Sequence, residues 1–367
     1  MANKLQQFFP SIRTREQVLK EIRSNPVLAN KFNFFSEEQR ENFLDICTGA
    51  KGVPILYDNI FQAVMNPDIY PDRVQDLIGC ILGKKVVHIS SLERSSFSLG
   101  DEKSLVILDL VVKLDDGSYI DLEVQKIGHA FPGQRAACYT SDLMIRQYAT
   151  IKQEISRQEG TPSKPRFNYR MLRPVYTIVL IEKSGSEFHA FPNEYFHEFS
   201  PKSKTGLRLD LLTNQIFIPL DIFKQNIQNI NKMSGLDEWL TFFCTDDPDA
   251  IIRLCENSPK FKPLYEHIYE ICQNTERIMD MYSTILKKLD DYNVEYMIDD
   301  LQDQVASLNK DLDNANQRNE AVCKERDAAI EERDTAIEER DDFSKKLAAS
   351  ETKIKELEAL LAAVSQK

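Results

Sequence analysis

An unbroken heptad pattern in the last fifth of the chain limits what the rest can fold into. Between residues 298 and 364, apolar or repeated positions alternate by three and four residues through ten heptads, without a proline or a glycine. This spacing predicts a coiled coil, in which the alternating positions, a and d, face a partner helix. Residues 294–367 are therefore expected to lie outside the globular core, which the preceding residues must form.

The core positions of the predicted coiled coil favour a dimer. Asn319 at an a position favours a parallel dimer in fixed register. Three successive a positions hold arginine with alanine at d, so the middle is weak and an alternative register through Ile330 and Ile337 is open. A solvated single helix is the other interpretation, but long helices that lack a packed face are marginal in water. We therefore expect a homodimer through residues 294–367.

The chain is acidic, with 46 Lys and Arg residues against 58 Asp and Glu residues and a formal net charge of −12. At first sight this argues against nucleic acid, because contacts to phosphate need Lys and Arg. However, residues 294–367 hold 19 of the acidic and 11 of the basic residues, so two thirds of the excess belongs to the predicted coiled coil. The body is nearly balanced, and DNA is not excluded as its partner.

The remaining composition is typical of a cytoplasmic protein. The seven cysteines form no CxxC pair and no close-spaced framework, which indicates reduced thiols. No run approaches the roughly 18 apolar residues of a membrane span. We therefore expect a cytoplasmic protein without a membrane partner.

Periodicity and chain breaks predict a mixed α/β body. Its segments run in the order helices, three strands, a helix, a strand and helices, and residues 207–212 and 215–219 look like a further pair of strands. Thr14 and Gln17 have the spacing of a capping box that opens a helix. We predict four regions, which are an N-terminal helical segment (1–50), an α/β domain (51–245), a helical connector (246–293) and the coiled coil (294–367).

The most informative candidate site residues lie on a predicted β-hairpin. Asp115-Asp116-Gly117 lies between two β-rich runs and predicts a three-residue turn, so that paired residue numbers add up to 232. Asp109 then lies opposite Glu123, and Gln125 shares the face of Glu123 because side chains alternate along a strand.

The two acids of this hairpin predict a metal site. Carboxylates about 5 Å apart at Cβ repel each other unless a cation joins them. Oxygen ligands favour Mg²⁺ or Mn²⁺. The alternative is that Asp109 and Glu123 face solvent on the wet side of an antiparallel sheet.

The helix predicted after the hairpin supports the metal site. Arg135, Tyr139, Asp142 and Arg146 are spaced by four, three and four residues, which places them on one stripe of that helix. Arginine and tyrosine side chains beside a metal can bind phosphate. The alternative is a solvated helix face.

These features resemble the PD-(D/E)XK nuclease superfamily, in particular its group of recombination-promoting nucleases and transposases. The resemblance covers residues 53–245. Its motifs are Asp58-x-x-Phe61, Leu77–Leu82, Asp109 with Glu123-Val124-Gln125, Arg135-x-x-x-Tyr139-x-Ser141, Tyr169-x-x-Leu172-x-Pro174-Val175 and Glu238-Trp239-Leu240-x-Phe242. The resemblance implies a restriction-endonuclease-like mixed sheet flanked by helices, here followed by a C-terminal coiled coil.

By this resemblance, Asp109 and Glu123 would hold a Mg²⁺ or Mn²⁺ ion, helped by the backbone carbonyl of Val124 and by Asp58. Gln125 would orient the attacking water, at the position where many relatives have a catalytic lysine. Arg135, Tyr139 and Arg146 would bind DNA. The implied function is that of a metal-dependent DNA endonuclease associated with transposition or recombination.

Departures from the family pattern keep a second function open. Gln125 cannot carry the charge of the usual lysine, Gln62 replaces a lysine after the Asp-x-x-Phe motif, and residues 151–165 lack the group's Gly-x-x-Tyr motif. The alternative is a catalytically inactive nuclease-fold protein that binds DNA or acts as a scaffold through its coiled coil.

Overall fold

The computed structural model describes residues 2–92, 110–127, 132–157, 166–227 and 233–364. The chain divides into two units, Met1–Tyr296 and Met297–Lys367.

The first unit is a mixed sheet with helices before and after it. Its helices, in chain order, are α1 (Lys4–Phe8), α2 (Arg15–Ser24), α3 (Pro26–Phe34), α4 (Glu37–Thr48), α5 (Asp58–Val64), α6 (Pro71–Leu82), α7 (Pro132–Arg157), α8 (Ser186–His189), α9 (Leu220–Asn226), α10 (Gly235–Cys244), α11 (Pro248–Asn257) and α12 (Lys262–Ile271). Its strands are β1 (Ile89–Ser91), β2 (Leu110–Leu114), β3 (Tyr119–Ile127), β4 (Val175–Lys183), β5 (His197–Phe199) and β6 (Thr213–Pro219). A last helix, α13 (Thr275–Val364), begins in the first unit and continues as the second.

The described strands form one sheet in the order β1-β2-β3-β4-β6-β5. The pairs β1/β2, β2/β3 and β5/β6 are antiparallel, whereas β3/β4 and β4/β6 are parallel. Helix α7 connects the parallel strands β3 and β4, as expected of a crossover in a mixed sheet. The predicted mixed α/β fold is confirmed.

The hairpin has the predicted register. Leu110 pairs with Leu122 and Val111 with Asp121, so the paired numbers add up to 232. Gly117 supplies the left-handed residue of the turn, with φ +84°. Asp109, the residue before Leu110, lies outside the described residues.

The two faces of the sheet are covered by different sets of apolar side chains. On one face, Leu122, Ile178 and Ile216 belong to a large core that includes Trp239 and Tyr265 from the flanking helices. The opposite face packs against α7, with Tyr139 and Leu143 of the helix against Val111, Tyr119 and Val175 of the strands. We call this opposite side the α7 face.

The start of the chain packs on the helices that precede the second unit. Lys4 forms an ion pair with Asp249 at 2.6 Å, and the Arg13 guanidinium donates a hydrogen bond to the carbonyl of Cys272 at 2.9 Å. Thr14 and Gln17 form the predicted capping box. The N-terminal helices and the helices after residue 245 therefore share one core.

The prediction of a strand at residues 207–212 was wrong. This segment has no regular secondary structure, and Leu207, Leu209 and Leu211 are each more than half exposed. Leu212 has φ +61°, which breaks an extended run. The edges of β6 are already occupied by β4 and β5, so the alternating leucines have no hydrogen-bonding edge to join at that strand.

The second unit is the continuation of α13 as a single helix. Many apolar residues at its a and d positions are exposed, with Leu308 at 66% and Phe343 at 74%. In the described part of the chain, no helix is long and apolar enough to cross a membrane. All seven cysteines are free thiols.

Candidate metal and nucleic-acid site

A row of buried polar side chains lies along β3 on the α7 face. Asp121 is fully buried, Glu123 is 4% exposed and Gln125 is 7% exposed. The three residues alternate with Leu122 and Val124, which point to the other side of the strand. Placing two carboxyl groups inside a folded unit is costly unless charge or hydrogen bonds compensate it, so we take this row as the candidate functional site.

The polar row extends across the sheet and onto α7. Thr177 of β4 pairs with Asp121, and its hydroxyl lies 3.0 Å from the hydroxyl of Thr140 on α7. Gln215 of β6 donates a hydrogen bond to the same Thr140 hydroxyl at 3.1 Å. The helix is thereby held over the sheet by hydrogen bonds as well as by its apolar residues.

Gln147 fixes the far end of α7 against the hairpin. Its amide nitrogen donates to the carbonyl of Gly117 at 3.3 Å, and its amide oxygen accepts from the backbone N–H of Arg173 at 2.7 Å. The side chain is buried, and both contacts are partly shielded from solvent. This contact sets the position of α7 along β3, and with it the position of Tyr139.

Tyr139 lies close to the buried acids. Burial is the main cause that raises the pKa of its phenol to about 12, and the nearby carboxylate of Glu123 acts in the same direction. Arg135 opposes this shift, and its guanidinium carbon lies 5.4 Å from the centre of the Tyr139 ring. The phenol therefore remains protonated, and able to donate a hydrogen bond, throughout the neutral pH range.

The predicted stripe on α7 divides into an open and an enclosed part. Arg135 is exposed to solvent. Arg146 instead forms an ion pair with Asp142, with 2.7 Å between Nε and Oδ2 and side chains that are only 10% and 15% exposed. Burial raises the pKa of Asp142, and Arg146 opposes that effect. Arg135 is thus more accessible to a phosphate group than Arg146.

Sequence reasoning missed Asp121. The signal was present, because Asp121 stands two residues before Glu123 and strand alternation puts both on one face. Its full burial depends on how α7 covers the sheet, which the hairpin alone does not reveal.

The donor chemistry of the site fits a hard divalent ion. The carboxylates of Asp121 and Glu123 are oxygen ligands of the kind that Mg²⁺ and Mn²⁺ prefer. Within the described ranges, no group of three or more His, Cys, Asp or Glu residues is arranged to hold a metal. Asp109 lies in a gap between those ranges. Asp58 is the first residue of α5, but its side chain is not among those that the structure describes.

A mixed sheet with a crossover helix over buried carboxylates is consistent with a nuclease-like protein. The chain belongs to the PD-(D/E)XK nuclease family transposases, whose family profile matches residues 56–298, about two thirds of its length. The match contains the hairpin, α7 and β4, and it continues past residue 245, where the motif resemblance ends. No curated protein and no solved structure matches the chain.

Proposed function

We propose that the protein is a metal-dependent endonuclease that hydrolyses phosphodiester bonds of DNA in transposition or recombination. The observation that supports this most is the buried row of Asp121, Glu123 and Gln125, in a chain of the PD-(D/E)XK nuclease family. The free thiols are compatible with action in the reducing cytoplasm.

The residues that would hold the metal are Asp109, Glu123, the backbone carbonyl of Val124 and Asp58. A bound Mg²⁺ or Mn²⁺ would polarise the phosphate and lower the pKa of a bound water. Glu123 is suited to this role because it lies on a central strand whose position is fixed by neighbours on both sides. Asp121, on the same face, adds negative charge that favours a cation over an anion.

Gln125 is proposed to orient the attacking water. Its Oε1 is buried and, among the described residues, accepts no hydrogen bond, so it can accept one from a water molecule. An uncharged amide cannot stabilise negative charge on phosphate as a lysine ammonium would. Tyr139, which stays protonated, can supply a hydrogen bond to the phosphate in its place.

Arg135 is proposed as the principal phosphate contact on α7. Replacing it with alanine should weaken DNA binding for all sequences alike, because phosphate contacts carry no base information. The slope of log affinity against log salt concentration should fall by about one. Fluorescence anisotropy of labelled DNA over a range of salt concentrations, with chelator present to prevent cleavage, measures both effects.

The matched control for Arg135→Ala is Arg23→Ala, which removes an exposed arginine from α2. Arg23→Ala should leave the slope unchanged. Equal slopes for Arg135→Ala and the parent would exclude Arg135 as a phosphate contact.

The experiment that tests the proposed function is a plasmid-cleavage assay with the full chain. With Mg²⁺ or Mn²⁺, supercoiled plasmid should be nicked or cut, and chelator should stop the reaction. Absence of cleavage with either metal would contradict the proposal.

A catalytically inactive DNA-binding protein or scaffold is the second candidate. The observation that favours it is Gln125 in place of the usual lysine. Calorimetric titration with Mg²⁺ or Mn²⁺ distinguishes the two, because only the nuclease requires a metal affinity that depends on Asp109 and Glu123.

Whichever of the two functions holds, we propose that residues 294–367 join two copies of the chain.

A further inference from the structure

Residues 207–211 form an extended segment whose backbone is unpaired. From residue 206 to residue 212 the chain has neither a turn nor a bend, and residues 207–211 belong to no helix or strand. Among the described residues, their N–H and C=O groups make no hydrogen bond to other backbone groups. Unpaired groups in an extended chain offer an edge on which another strand can pair.

The side chains of this segment are exposed and alternate in character. Leu207, Leu209 and Leu211 are 61%, 66% and 54% exposed, and Arg208 and Asp210 between them are exposed too. In an extended chain this alternation places the leucines on one face and the two charges on the other. The pattern is that of a strand with one covered face, yet in a single copy the apolar face stays exposed.

Two residues with a left-handed backbone mark the ends of the segment. Gly206 has φ +81° and Leu212 has φ +61°. The N–H of Leu212 donates a hydrogen bond to Oδ1 of Asp210 at 3.1 Å, and its carbonyl accepts one from the N–H of Val175 at 2.7 Å. The part of the chain that is free to pair is therefore five residues long, the usual length of a strand.

The segment is complementary to itself when two copies run antiparallel about Leu209. The numbers of opposing residues then add up to 418, so that Leu207 faces Leu211 and Arg208 faces Asp210, each pair occurring twice. Leu209 faces its own copy. Apolar pairs and pairs of opposite charge directly across two strands stabilise their pairing.

Other arrangements of the two segments lose this match. In a parallel pair in register, Arg208 faces Arg208 and Asp210 faces Asp210, which is destabilising. An antiparallel pair centred on either of these residues again opposes like charges, and one centred between two residues sets a leucine opposite a charge. The sum of 418 also sets Gly206 opposite Leu212, so the left-handed residues close both ends of the paired region.

DNA fits this segment less well than a second copy does. Lys202, Lys204 and Arg208 are exposed and able to contact phosphate. Asp210, however, lies within the segment and repels phosphate, and the leucine side chains offer no hydrogen-bond donor. A second copy satisfies the two charges and covers the leucines at the same time.

We propose that residues 207–211 pair with the same residues of a second copy as an antiparallel two-stranded ribbon, in the register in which opposing residue numbers add up to 418. Five residues from each copy make a small interface, so the ribbon adds to another contact between copies, such as the proposed coiled coil, rather than replacing it. The pairing does not depend on the proposed nuclease activity. It accounts for a strand pattern in the sequence where a single copy has no strand.

Disulfide cross-linking of the full chain tests the register. The exposed thiols of Cys138 and Cys323 are first replaced by serine, and a single cysteine is introduced as Leu209→Cys or Leu207→Cys. Facing residues of paired strands have Cα atoms about 4.5–5.5 Å apart, within reach of a disulfide. Leu209→Cys should therefore form linked dimers on mild oxidation. Leu207→Cys alone should not, because its two copies lie about 14 Å apart along the ribbon.

Co-expression of Leu207→Cys with Leu211→Cys is the matched positive control, because these positions face each other. Linked dimers that contain both chains are expected. Linking of Leu207→Cys alone as fast as Leu209→Cys would indicate a parallel or unspecific contact and overturn the proposal. No linking of Leu209→Cys would show that the segments do not pair, and would overturn it as well.

Charge reversal in the Leu209→Cys variant tests the pairing of Arg208 with Asp210. Arg208→Asp sets acid against acid in both pairs and should slow linking about tenfold. Adding Asp210→Arg restores opposite charges and should bring the rate back to within about twofold of the starting rate. Lys204→Asp, a charge reversal in the same loop but outside the segment, is the control and should leave the rate unchanged.

Two results of the charge reversals would contradict the proposal. If the double variant links as slowly as Arg208→Asp alone, Arg208 does not face Asp210 and the register is wrong. If Leu209→Cys does not link, and Arg208→Asp and Lys204→Asp weaken binding of labelled DNA equally, the segment contacts DNA and not a second copy.

Discussion

Replacing Glu123 with glutamine is expected to lower the rate of metal-dependent plasmid cleavage by about 1000-fold, since loss of a metal-binding carboxylate removes several kcal/mol of transition-state stabilisation. Glutamine has nearly the same shape as glutamate, and at this buried position a neutral amide costs less to bury than a carboxylate, so the fold should persist. Asp109→Ala should have a similar effect on cleavage. Initial rates of nicking, measured beside thermal unfolding curves, separate loss of chemistry from loss of structure.

The control for Glu123→Gln is Glu198→Gln, which makes the same change on the exposed edge strand β5. Its cleavage rate should match that of the parent. If Glu123→Gln cuts plasmid as fast as the parent does, Glu123 is not a metal ligand and the assignment of the site is wrong.

Trp239→Ala is expected to lower the free energy of unfolding of the first unit by about 3–5 kcal/mol, because it removes a large buried ring. Trp239 is 2% exposed, and its ring lies between 5.0 and 5.8 Å from the rings of Phe242, Phe243 and Phe261. Its indole N–H also donates to Asp76 at 2.8 Å. Urea unfolding, monitored by tyrosine fluorescence, measures the loss. Tyrosine is the probe because the chain has a single tryptophan, which the variant lacks.

Phe34→Ala is the matched control for the tryptophan variant. The ring of Phe34 is 90% exposed, so its removal should change the free energy of unfolding by no more than about 0.5 kcal/mol. A loss below 1 kcal/mol in Trp239→Ala would mean that the packing around the indole is not as described.

The features that the sequence predicted well are local ones. The register of the hairpin follows from the turn at Gly117 and from strand alternation, which act over about a dozen residues. The helix after it carries Arg135, Tyr139, Asp142 and Arg146 at the spacing of one helical stripe. The same local logic placed Glu123 and Gln125 on one face of β3.

The features that the sequence did not predict depend on distant contacts. The leucines at 207, 209 and 211 alternate as in a strand, but a strand needs a free edge, and the edges of β6 are taken by β4 and β5. The burial of Asp121 requires the cover of α7. Likewise, the ion pair between Arg146 and Asp142 takes one arginine of the predicted stripe away from solvent, which spacing alone cannot show.

The packing of the first helices on the last ones has a consequence for synthesis of the chain. Asn42 of α4 donates a hydrogen bond to Tyr282 at the start of α13, and Lys31 of α3 forms an ion pair with Asp280. These contacts cannot form until about 280 residues have been translated, which takes tens of seconds at 5–20 residues per second. The apolar faces of α2–α4 lack these partners during that time, so we expect the nascent chain to expose apolar surface until the start of α13 has been translated.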